Sequence, residues 1–375
     1  MMLTRPMRWP HIIAALVAVI FCQPAFSLEE ATLTELLADA REEMKLPGVR
    51  AAVRFPDGRI VRAAAGLADR EAGIPLDNDV GMPGGSTGKT FVAALTMLLV
   101  EDGILSLDDP AKKWLGDEDW FEELPNSDYM LVRHLLSHSA GLGDYPGRVG
   151  FNMRMVGRVV RHGSAYFEPE ELIGYAGSRP KFPAGEGYAY TDIGYLVLGR
   201  VIEAATGATY YDLLQERILA PLELEQIEPQ IQSALPNISP GYQGGVSNLK
   251  EDGRMKLDPR SEWTGGGLVT NPTMLVRFLA ALVEGRIVKP ASFSQMIESG
   301  WHDPKEPGYH YGFGLFVHGG GGWVAHGGVW VGYRTYIKHF TPTGITVAIQ
   351  TNQDDRTDMV GLTNRIAELA SVATD

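Results

Sequence analysis

Ser86 and Lys89, three residues apart, are the pair in this sequence best suited to chemistry. They open an apolar run over 91–100 that stops before Gly103, and its apolar residues recur at helical spacing. Residues three apart on a helix share a face, so the hydroxyl and the amine are expected to lie together. A serine becomes a strong nucleophile when a base takes its proton, and a lysine whose pKa is lowered by burial is such a base. The pair therefore predicts nucleophilic catalysis by Ser86.

The same stretch allows two other interpretations. A serine at a helix start beside a surface lysine is common and then serves only as a helix cap. The run 84–90 also resembles a phosphate-binding loop, which requires the pattern G-x-x-x-x-G-K-[ST]. The first glycine of that pattern would fall at position 83, which is Pro83. The spacing is therefore wrong, and nucleotide binding is disfavoured.

The composition of the chain indicates its cellular location and argues against some classes of partner. The sequence has 375 residues, a net charge of −13 and a single cysteine, Cys22. Residues 1–27 combine a basic start, an apolar core and a small-x-small cleavage site, which is typical of a secretory signal peptide. We therefore expect an exported mature chain over 28–375, periplasmic or secreted, with no cysteine and no disulfide. Its acidity argues against nucleic acid or anionic lipid as the main partner. No stable membrane anchor is expected, and the oligomeric state stays open.

The order of the predicted elements favours an α/β fold of the α+β type. Helices are predicted over 29–43, 91–100 and 357–371. Strands are predicted over 49–55, 59–66, 311–318, 323–326, 332–340 and 344–351. Strands near both ends with a helical middle predict one antiparallel sheet built from both chain ends and flanked by helices, with an inserted helical region.

The same pattern divides the mature chain into two regions. The sheet region is assigned to about 28–85 and 250–375, and the mostly helical region to about 86–249. Within the helical region, the segment 141–163 is rich in glycine and basic residues. We expect this segment to be a mobile loop.

Two further segments complete a recognisable pattern. Residues 182–199 read FPAGEGYAYTDIGYLVLG, and residues 324–333 read VAHGGVWVGY. With the S-x-x-K of 86–89, they resemble the serine β-lactamase-like family of class C β-lactamases, DD-peptidases of the penicillin-binding proteins, D-aminopeptidases and family VIII carboxylesterases. Shorter matches follow in the family's order at 105–110, 135–142 and 265–270. The resemblance covers nearly all of the mature chain and implies the β-lactamase/transpeptidase-like fold.

The resemblance assigns roles to individual residues. Ser86 is the nucleophile, Lys89 and Tyr190 move its proton, and the backbone N–H groups of Ser86 and Val329 form the oxyanion hole. A phenol near a cationic lysine ionises more easily, so Tyr190 can accept the serine proton and return it to the leaving group. The positions expected to bind substrate are Asp192, His326, Gly327 and Gly328. The family uses neither a metal nor an organic cofactor, and none is expected here.

The sequence departs from the family pattern at two positions near the site. The family's asparagine two residues after the tyrosine is Asp192 here, and an ionised carboxylate cannot donate a hydrogen bond. Asp192 is expected to hold Lys89 charged, which would make Tyr190 the better base, or to meet a cationic substrate group. His326 and Gly327 replace the lysine and threonine of K-T-G, which weakens recognition of a substrate carboxylate unless Arg334 compensates.

These features lead to one preferred function and several alternatives. The preferred function is an exported serine hydrolase that cleaves an ester or amide of a small molecule or peptide through an acyl-enzyme on Ser86. The alternatives are a D-alanyl-D-alanine carboxypeptidase or class C-like β-lactamase, and an inactive penicillin-binding-type scaffold. His134 and His138 have a spacing that could share a metal. No third ligand is apparent, so both are interpreted as structural.

Overall fold

One large antiparallel sheet organises the chain in this computed structural model, which describes residues 28–319, 322–355 and 357–372. The expected signal peptide, with Cys22, lies outside the described residues. The strands are β1 Gly48–Arg54, β2 Ile60–Asp69, β3 Ile74–Pro75, β4 Met82–Pro83, β5 Glu228–Pro229, β6 Tyr242–Gln243, β7 Val246–Ser247, β8 Leu268–Thr270, β9 Tyr309–Tyr311, β10 Phe316–His318, β11 Trp323–Trp330, β12 Tyr333–Phe340 and β13 Ile345–Thr351.

Helices fill most of the chain between the first and last strands. The α-helices are α1 Glu30–Met44, α2 Gly88–Glu101, α3 Lys112–Leu115, α4 Asp119–Glu122, α5 Val132–Leu136, α6 Val149–His162, α7 Pro169–Ile173, α8 Asp192–Thr206, α9 Tyr210–Leu214, α10 Pro272–Val283, α11 Pro290–Glu298 and α12 Met359–Ser371. Short 3-10 helices occupy Gly85–Thr87, Pro259–Ser261 and Trp263–Gly265, and one π-helical turn occupies Gln215–Leu219.

The large sheet joins the two ends of the described chain. Its eight strands run in the order β3-β2-β1-β13-β12-β11-β10-β9. The first long strand pairs directly with the last, so that Val49 lies opposite Thr351 and Val53 opposite Val347. The predicted fold class, an antiparallel sheet built from both chain ends with helices inserted, is therefore confirmed.

Alternation along the central strands gives the sheet two apolar faces. On one face, Val49, Ala51 and Val53 of β1 pack in a buried cluster with side chains of α1 and α12. On the other face, Ala52 belongs to the larger core that includes α2, α8 and α10. Helix α10 lies against the sheet, while α2 packs against α8, α9 and the 3-10 helix Trp263–Gly265 and is buried along almost its whole length. This burial fixes the helix whose first turn carries Ser86 and Lys89.

Two local predictions are wrong. The strand expected over 311–318 is broken by a turn, which leaves β9 and β10 as a short antiparallel pair. The segment 141–163, expected to be a mobile loop, contains the fourteen-residue helix α6. Its glycines lie mostly at the helix ends and on its exposed side, and Phe151 anchors it in the core. In the ranges that the structure describes, no helix combines the length and apolar character needed to cross a bilayer.

Candidate active site

The start of α2 brings Ser86 and Lys89 together. Ser86 lies in the 3-10 helix Gly85–Thr87, which runs directly into α2. The Lys89 Nζ lies 3.1 Å from the Ser86 Oγ. Ser86 is partly exposed, whereas the side chain of Lys89 is 0% exposed. The hydroxyl is therefore open to a substrate from one side and in contact with a buried amine on the other.

Three acceptors surround the Lys89 amine. Its Nζ donates to the Ser86 Oγ, to the Asp192 Oδ1 at 2.6 Å and to the Gly265 carbonyl oxygen at 2.5 Å. An ammonium has three N–H donors, so these contacts use all of them. The arrangement is that of a charged lysine.

The charge on Lys89 corrects the expectation that burial would make it a neutral base. Burial alone lowers the pKa of Lys89, but the carboxylate of Asp192 and the hydroxyl of Tyr190 raise it more strongly, and the net shift is upward. An opposite charge within hydrogen-bond distance favours the ionised amine. Lys89 therefore holds its proton at neutral pH in this arrangement.

Tyr190 lies just before α8, above the Lys89 amine. The Nζ of Lys89 is 5.1 Å from the centre of the Tyr190 ring. Burial of the hydroxyl raises the pKa of Tyr190, and the charge of Asp192 adds to this shift. The charge of Lys89 and the hydrogen bond with Ser86 lower the pKa. The net shift is upward, so the expectation that the lysine makes this phenol ionise more easily describes only one of two opposing effects.

The first residue of α8 is Asp192, and its place is set by the helix start. Thr191 caps the helix, with its Oγ1 accepting from the Ile193 N–H at 3.1 Å. The Asp192 N–H donates to the Asp144 Oδ2 at 3.2 Å. The side chain of Asp192 is then free to approach Lys89, which is the first of the two roles expected for it.

Two further carboxyl groups lie close to this ion pair and were missed in the sequence. Burial, and then the charge of Asp192, raises the pKa of Asp144 to about 6. Burial raises the pKa of Glu262 to about 8, with Lys89 opposing and Asp192 adding to the shift. The available signal for Glu262 was its position three residues before the glycine segment that begins at Gly265. Asp144 lay in the segment expected to be a loop.

The edge of β11 lies against the nucleophile turn. This strand pairs with β12 along its whole length but with β10 only at Val324 and Ala325. A methyl group on Gly328 would come within 1.9 Å of the Gly84 carbonyl oxygen, and one on Gly85 within 2.6 Å of the Val329 nitrogen. The backbone of β11 therefore touches the backbone beside Ser86, as an oxyanion hole made from Ser86 and Val329 requires.

The two glycines of β11 have different surroundings. The missing side chain of Gly328 makes room for the nucleophile turn, not for a substrate. The nearest neighbour of a methyl group on Gly327 would be the Tyr336 ring at 3.4 Å. Both glycines line a cavity that also contacts Val329 and Arg334. A methyl group on Gly327 would thus meet only ordinary contacts, while Gly328 is already in close contact within the protein.

The structure does not place His326 at the surface of the site. Its ring is fully buried. The Nδ1 donates to the Gly327 carbonyl oxygen at 2.7 Å, and the Nε2 accepts from the Tyr311 hydroxyl at 2.9 Å. Burial, and then the charge of Lys89, lowers the pKa of His326 to about 3. The expected contact of His326 with a substrate is therefore replaced by a contact with Tyr311, behind the strand.

Aromatic side chains continue outward from Tyr190. Its ring is nearly parallel to that of Phe316, with centroids 6.4 Å apart, and Phe316 stacks in turn on Tyr309. A cavity of about 180 Å³ opens beside this row. Its aromatic lining consists of Tyr188, Trp301, Tyr309, Tyr311 and Phe316. The rim carries two carboxylates, Asp303 and Glu306.

His134 and His138 each make contacts within the protein. The Nδ1 of His134 accepts from the Leu131 N–H, and the Nδ1 of His138 accepts from the Thr191 N–H, both at 3.3 Å. The ring of His138 lies 4.1 Å from that of Tyr190. Among the described residues, no group of three or more histidine, cysteine, aspartate or glutamate side chains is arranged to hold a metal.

The chain is similar to several characterised hydrolases and penicillin-binding proteins. Penicillin-binding protein 4* of Bacillus subtilis (strain 168) is 26% identical over 319 residues, 78% of this chain and 65% of that protein. The esterase EstB of Burkholderia gladioli is 32% identical over 212 residues, 53% of this chain and 52% of that protein. The chain thus spans between half and two thirds of the length of these two relatives.

Structure and family comparisons agree with each other. A solved D-stereospecific amidohydrolase from Streptomyces sp. superposes with a TM-score of 0.76 at 25% identity, covering 89% of this chain and 97% of that one. The Beta-lactamase family model matches residues 33–371, which include every residue of the site described above. With this match and the antiparallel sheet built from both chain ends, the chain belongs to the beta-lactamase family.

Proposed function

We propose that this protein is a serine hydrolase that cleaves an ester or an amide through a covalent acyl-enzyme on Ser86. The observation that carries the proposal is the 3.1 Å contact between the Ser86 Oγ and the Lys89 Nζ, at a partly exposed hydroxyl. A buried cation held beside a partly exposed serine stabilises the negative charge that develops on its oxygen as the serine attacks a carbonyl carbon. An esterase and an amidohydrolase are among the proteins similar to this chain, which supports the substrate class.

The proton of Ser86 is proposed to move through Tyr190. Because the Lys89 ammonium donates to the Ser86 Oγ, the serine hydroxyl points its own hydrogen elsewhere, and Tyr190 is its hydrogen-bonding neighbour. The ionised phenol takes this proton as the Ser86 Oγ attacks the carbonyl carbon. Lys89 keeps its proton. Its positive charge stabilises the negative charge on the Tyr190 oxygen before the transfer and on the Ser86 Oγ as it attacks.

The later steps use the same groups. The N–H groups of Ser86 and Val329 donate to the oxyanion of the tetrahedral intermediate. Tyr190 returns the proton to the leaving alcohol or amine as the carbon–oxygen or carbon–nitrogen bond breaks. Tyr190 then takes a proton from water as the hydroxide attacks the acyl carbon. The bond between that carbon and the Ser86 Oγ breaks as Tyr190 returns the proton to the Ser86 Oγ, which regenerates the free serine and the ionised phenol.

The aromatic cavity supports a substrate with an apolar or aromatic part. The row from Tyr190 through Phe316 to Tyr309 offers ring faces next to the reacting centre. Ring faces and edges favour aromatic groups beyond simple apolar burial. The carboxylates Asp303 and Glu306 at the rim disfavour a negatively charged group there.

The first test is hydrolysis of short nitrophenyl esters by the wild-type protein and by Ser86→Ala. Activity in the wild type and none in the variant, with an acyl adduct on the peptide that contains Ser86, is the expected result. An inactive wild type would favour the non-catalytic scaffold. Activity that survives in Ser86→Ala would place the nucleophile elsewhere.

A carboxypeptidase or β-lactamase activity is the second candidate, and Arg334 is the observation that favours it. Arg334 lies directly opposite Val329 across the β11–β12 pair and lines the same cavity. Its Nε donates to the Asp354 carbonyl oxygen, which holds the guanidinium in place. A cation here could bind the carboxylate of a β-lactam or a terminal D-alanine. Arg334→Gln should then lower turnover of carboxylate-bearing substrates and spare a neutral ester.

Export and the division of the mature chain are part of the proposal. We likewise propose that the mature chain divides into a sheet region over about 28–85 and 250–375 and a helical region over about 86–249. The features of residues 1–27 support cleavage after Ser27 and a mature protein over 28–375. Cell fractionation with mass measurement of the N-terminal peptide tests export. A cytoplasmic protein that retains Met1 would rule it out.

A further inference from the structure

Helix α6 presents an apolar stripe to solvent. Val149, Met153, Val156 and Val160 are 73%, 71%, 56% and 82% exposed. Their spacing of four, three and four residues places them on one line along the helix. No other helix in the described ranges exposes more than one large apolar side chain. The stripe is therefore a concentrated feature and not the scattered exposure that is normal for protein surfaces.

The opposite side of α6 holds the helix on the protein. Phe151 is buried and packs on Tyr145 and Phe167, with ring centroids 4.9 and 5.0 Å apart. Arg158 donates to the Tyr166 carbonyl oxygen and to the Glu171 carboxylate. These contacts fix which side of the helix faces outward. The exposed stripe is thus a property of the folded protein.

Helix α6 itself carries positive charge, although the chain as a whole is acidic. Arg154 lies 3.8 Å from the Glu171 carboxylate and its side chain is still 54% exposed. The segment 145–167 contains four arginines and no aspartate or glutamate, against a net charge of −13 for the chain. Arg154 and Arg161 each follow an exposed apolar residue by one position, which puts them about 100° round the helix on the flank of the stripe. Long arginine side chains on such a flank can reach past the apolar residues to charged groups.

We propose that α6 is a peripheral docking surface for an anionic phospholipid bilayer. An apolar stripe flanked by arginines fits the boundary between acyl chains and anionic headgroups. A second copy of the chain is the weaker fit. A helix of fourteen residues is about 21 Å long and about 10 Å wide, so its face offers about 200 Å². A stable interface buries about 800 Å² on each partner.

This inference revises one expectation from the sequence and does not depend on the proposed hydrolase activity. Net acidity argued against anionic lipid, but the charge that matters at a surface is the local one, within about 10 Å. The docking is peripheral, which agrees with the absence of a membrane-spanning helix among the described residues.

The test is vesicle co-sedimentation of the full chain, expressed with its own N-terminal segment. Every variant is compared at the same N terminus, established by mass measurement, so any contribution of residues 1–27 is common to all. Vesicles of phosphatidylglycerol and phosphatidylcholine in equal parts are compared with pure phosphatidylcholine. The wild type should bind the anionic vesicles and lose binding as salt is raised.

Two double variants separate the apolar and electrostatic contributions. Val156→Gln with Val160→Gln, and Arg154→Gln with Arg161→Gln, should each lower partitioning about tenfold or more. Ile74→Gln, which changes an exposed apolar residue on β3, is the matched control and should leave binding unchanged. All variants should keep wild-type thermal unfolding, because the changed side chains are exposed.

Three results would overturn the proposal. One is equal binding to neutral and anionic vesicles, and another is binding that neither double variant changes. The third is a dimer in sedimentation velocity that Val156→Gln with Val160→Gln dissociates, since the stripe would then be an interface between copies of the chain.

Discussion

Asp192 and Lys89 form an ion pair at 2.6 Å in which the lysine is fully buried and the carboxylate is 21% exposed. The carboxylate can therefore be reached from the site while it fixes the charge of the buried amine. It acts on Tyr190 as well, because it raises the pKa of that phenol. One side chain thus influences both the cation beside Ser86 and the phenol that is proposed to take the Ser86 proton.

Replacing Asp192 should shift the pH dependence of hydrolysis. If ionised Tyr190 is the base, wild-type kcat/KM should still be rising at pH 9, because the pKa of Tyr190 is raised. Asp192→Asn removes a negative charge that raises the pKa of Tyr190 and also the carboxylate that keeps Lys89 charged, so the rising limb of the pH profile should move by about one unit or more. Asp192→Glu keeps the charge and should keep the position of the limb. An unmoved limb in Asp192→Asn would remove Asp192 from this role.

The oxyanion hole can be tested at the backbone of Val329. The two-residue turn between β11 and β12 makes Trp330–Tyr333 the hydrogen-bonded pair, so the N–H of Val329 points away from β12. Val329→Pro removes this N–H and should lower kcat about 100-fold or more. Val329→Ala keeps the N–H and changes only an exposed side chain, so its kcat should stay within a few-fold of wild type. Equal losses in both variants would mean that the side chain, not the N–H, is needed.

The neighbouring glycines should differ sharply in their tolerance of alanine. A methyl group on Gly328 would lie 1.9 Å from the Gly84 carbonyl oxygen, whereas the nearest atom to one on Gly327 would be 3.4 Å away. Gly328→Ala should therefore destabilise the protein by about 2 kcal/mol or more, and Gly327→Ala by less than about 0.5 kcal/mol. Denaturant unfolding of both variants measures the difference. Similar losses would show that the turn beside Ser86 can move away from β11.

Buried histidines should make the protein less stable in acid. Burial lowers the pKa of His339 to about 4 and that of His326 to about 3. Between these values and the ordinary pKa of about 6.5, the unfolded chain binds more protons than the folded one, so stability falls as the pH drops. His339 alone should account for on the order of 2 kcal/mol between pH 7 and pH 5. His339→Asn should flatten this part of the stability curve, and an equally steep curve in the variant would contradict the assignment.

The sequence predicted the fold because its signals are local and ordered. The hairpin of β1 and β2, the apolar run of α2 and the last three strands each follow from spacing and turn residues. Helix α6 was missed because its apolar residues face solvent and its glycines suggested a loop. Periodicity shows that residues share a face but not whether that face is covered.

Within the candidate site, residue types were predicted better than their charges. Ser86, Lys89, Tyr190 and Asp192 could be named from their motifs, but the pKa of Lys89 depends on whether burial or Asp192 dominates, and this balance is set by distance. Glu262 belongs to no motif, and only its packing against Gly266 brings it near the ion pair. His326 could be placed on its strand, but its burial behind Tyr311 could not.

The pairing of β1 with β13 also constrains how the chain folds during synthesis. Val49 pairs with Thr351, which lies about 300 residues later in the chain, so the centre of the sheet can form only after that residue has been synthesised. At about 5–20 residues per second, ribosomal synthesis takes tens of seconds to bridge that distance. Throughout this time one hydrogen-bonding edge of β1 lacks its partner strand, so the sheet stays incomplete until almost all of the chain has been made. Such a delay keeps the polypeptide extended and aggregation-prone, a state that a chaperone can hold and a translocation channel can accept.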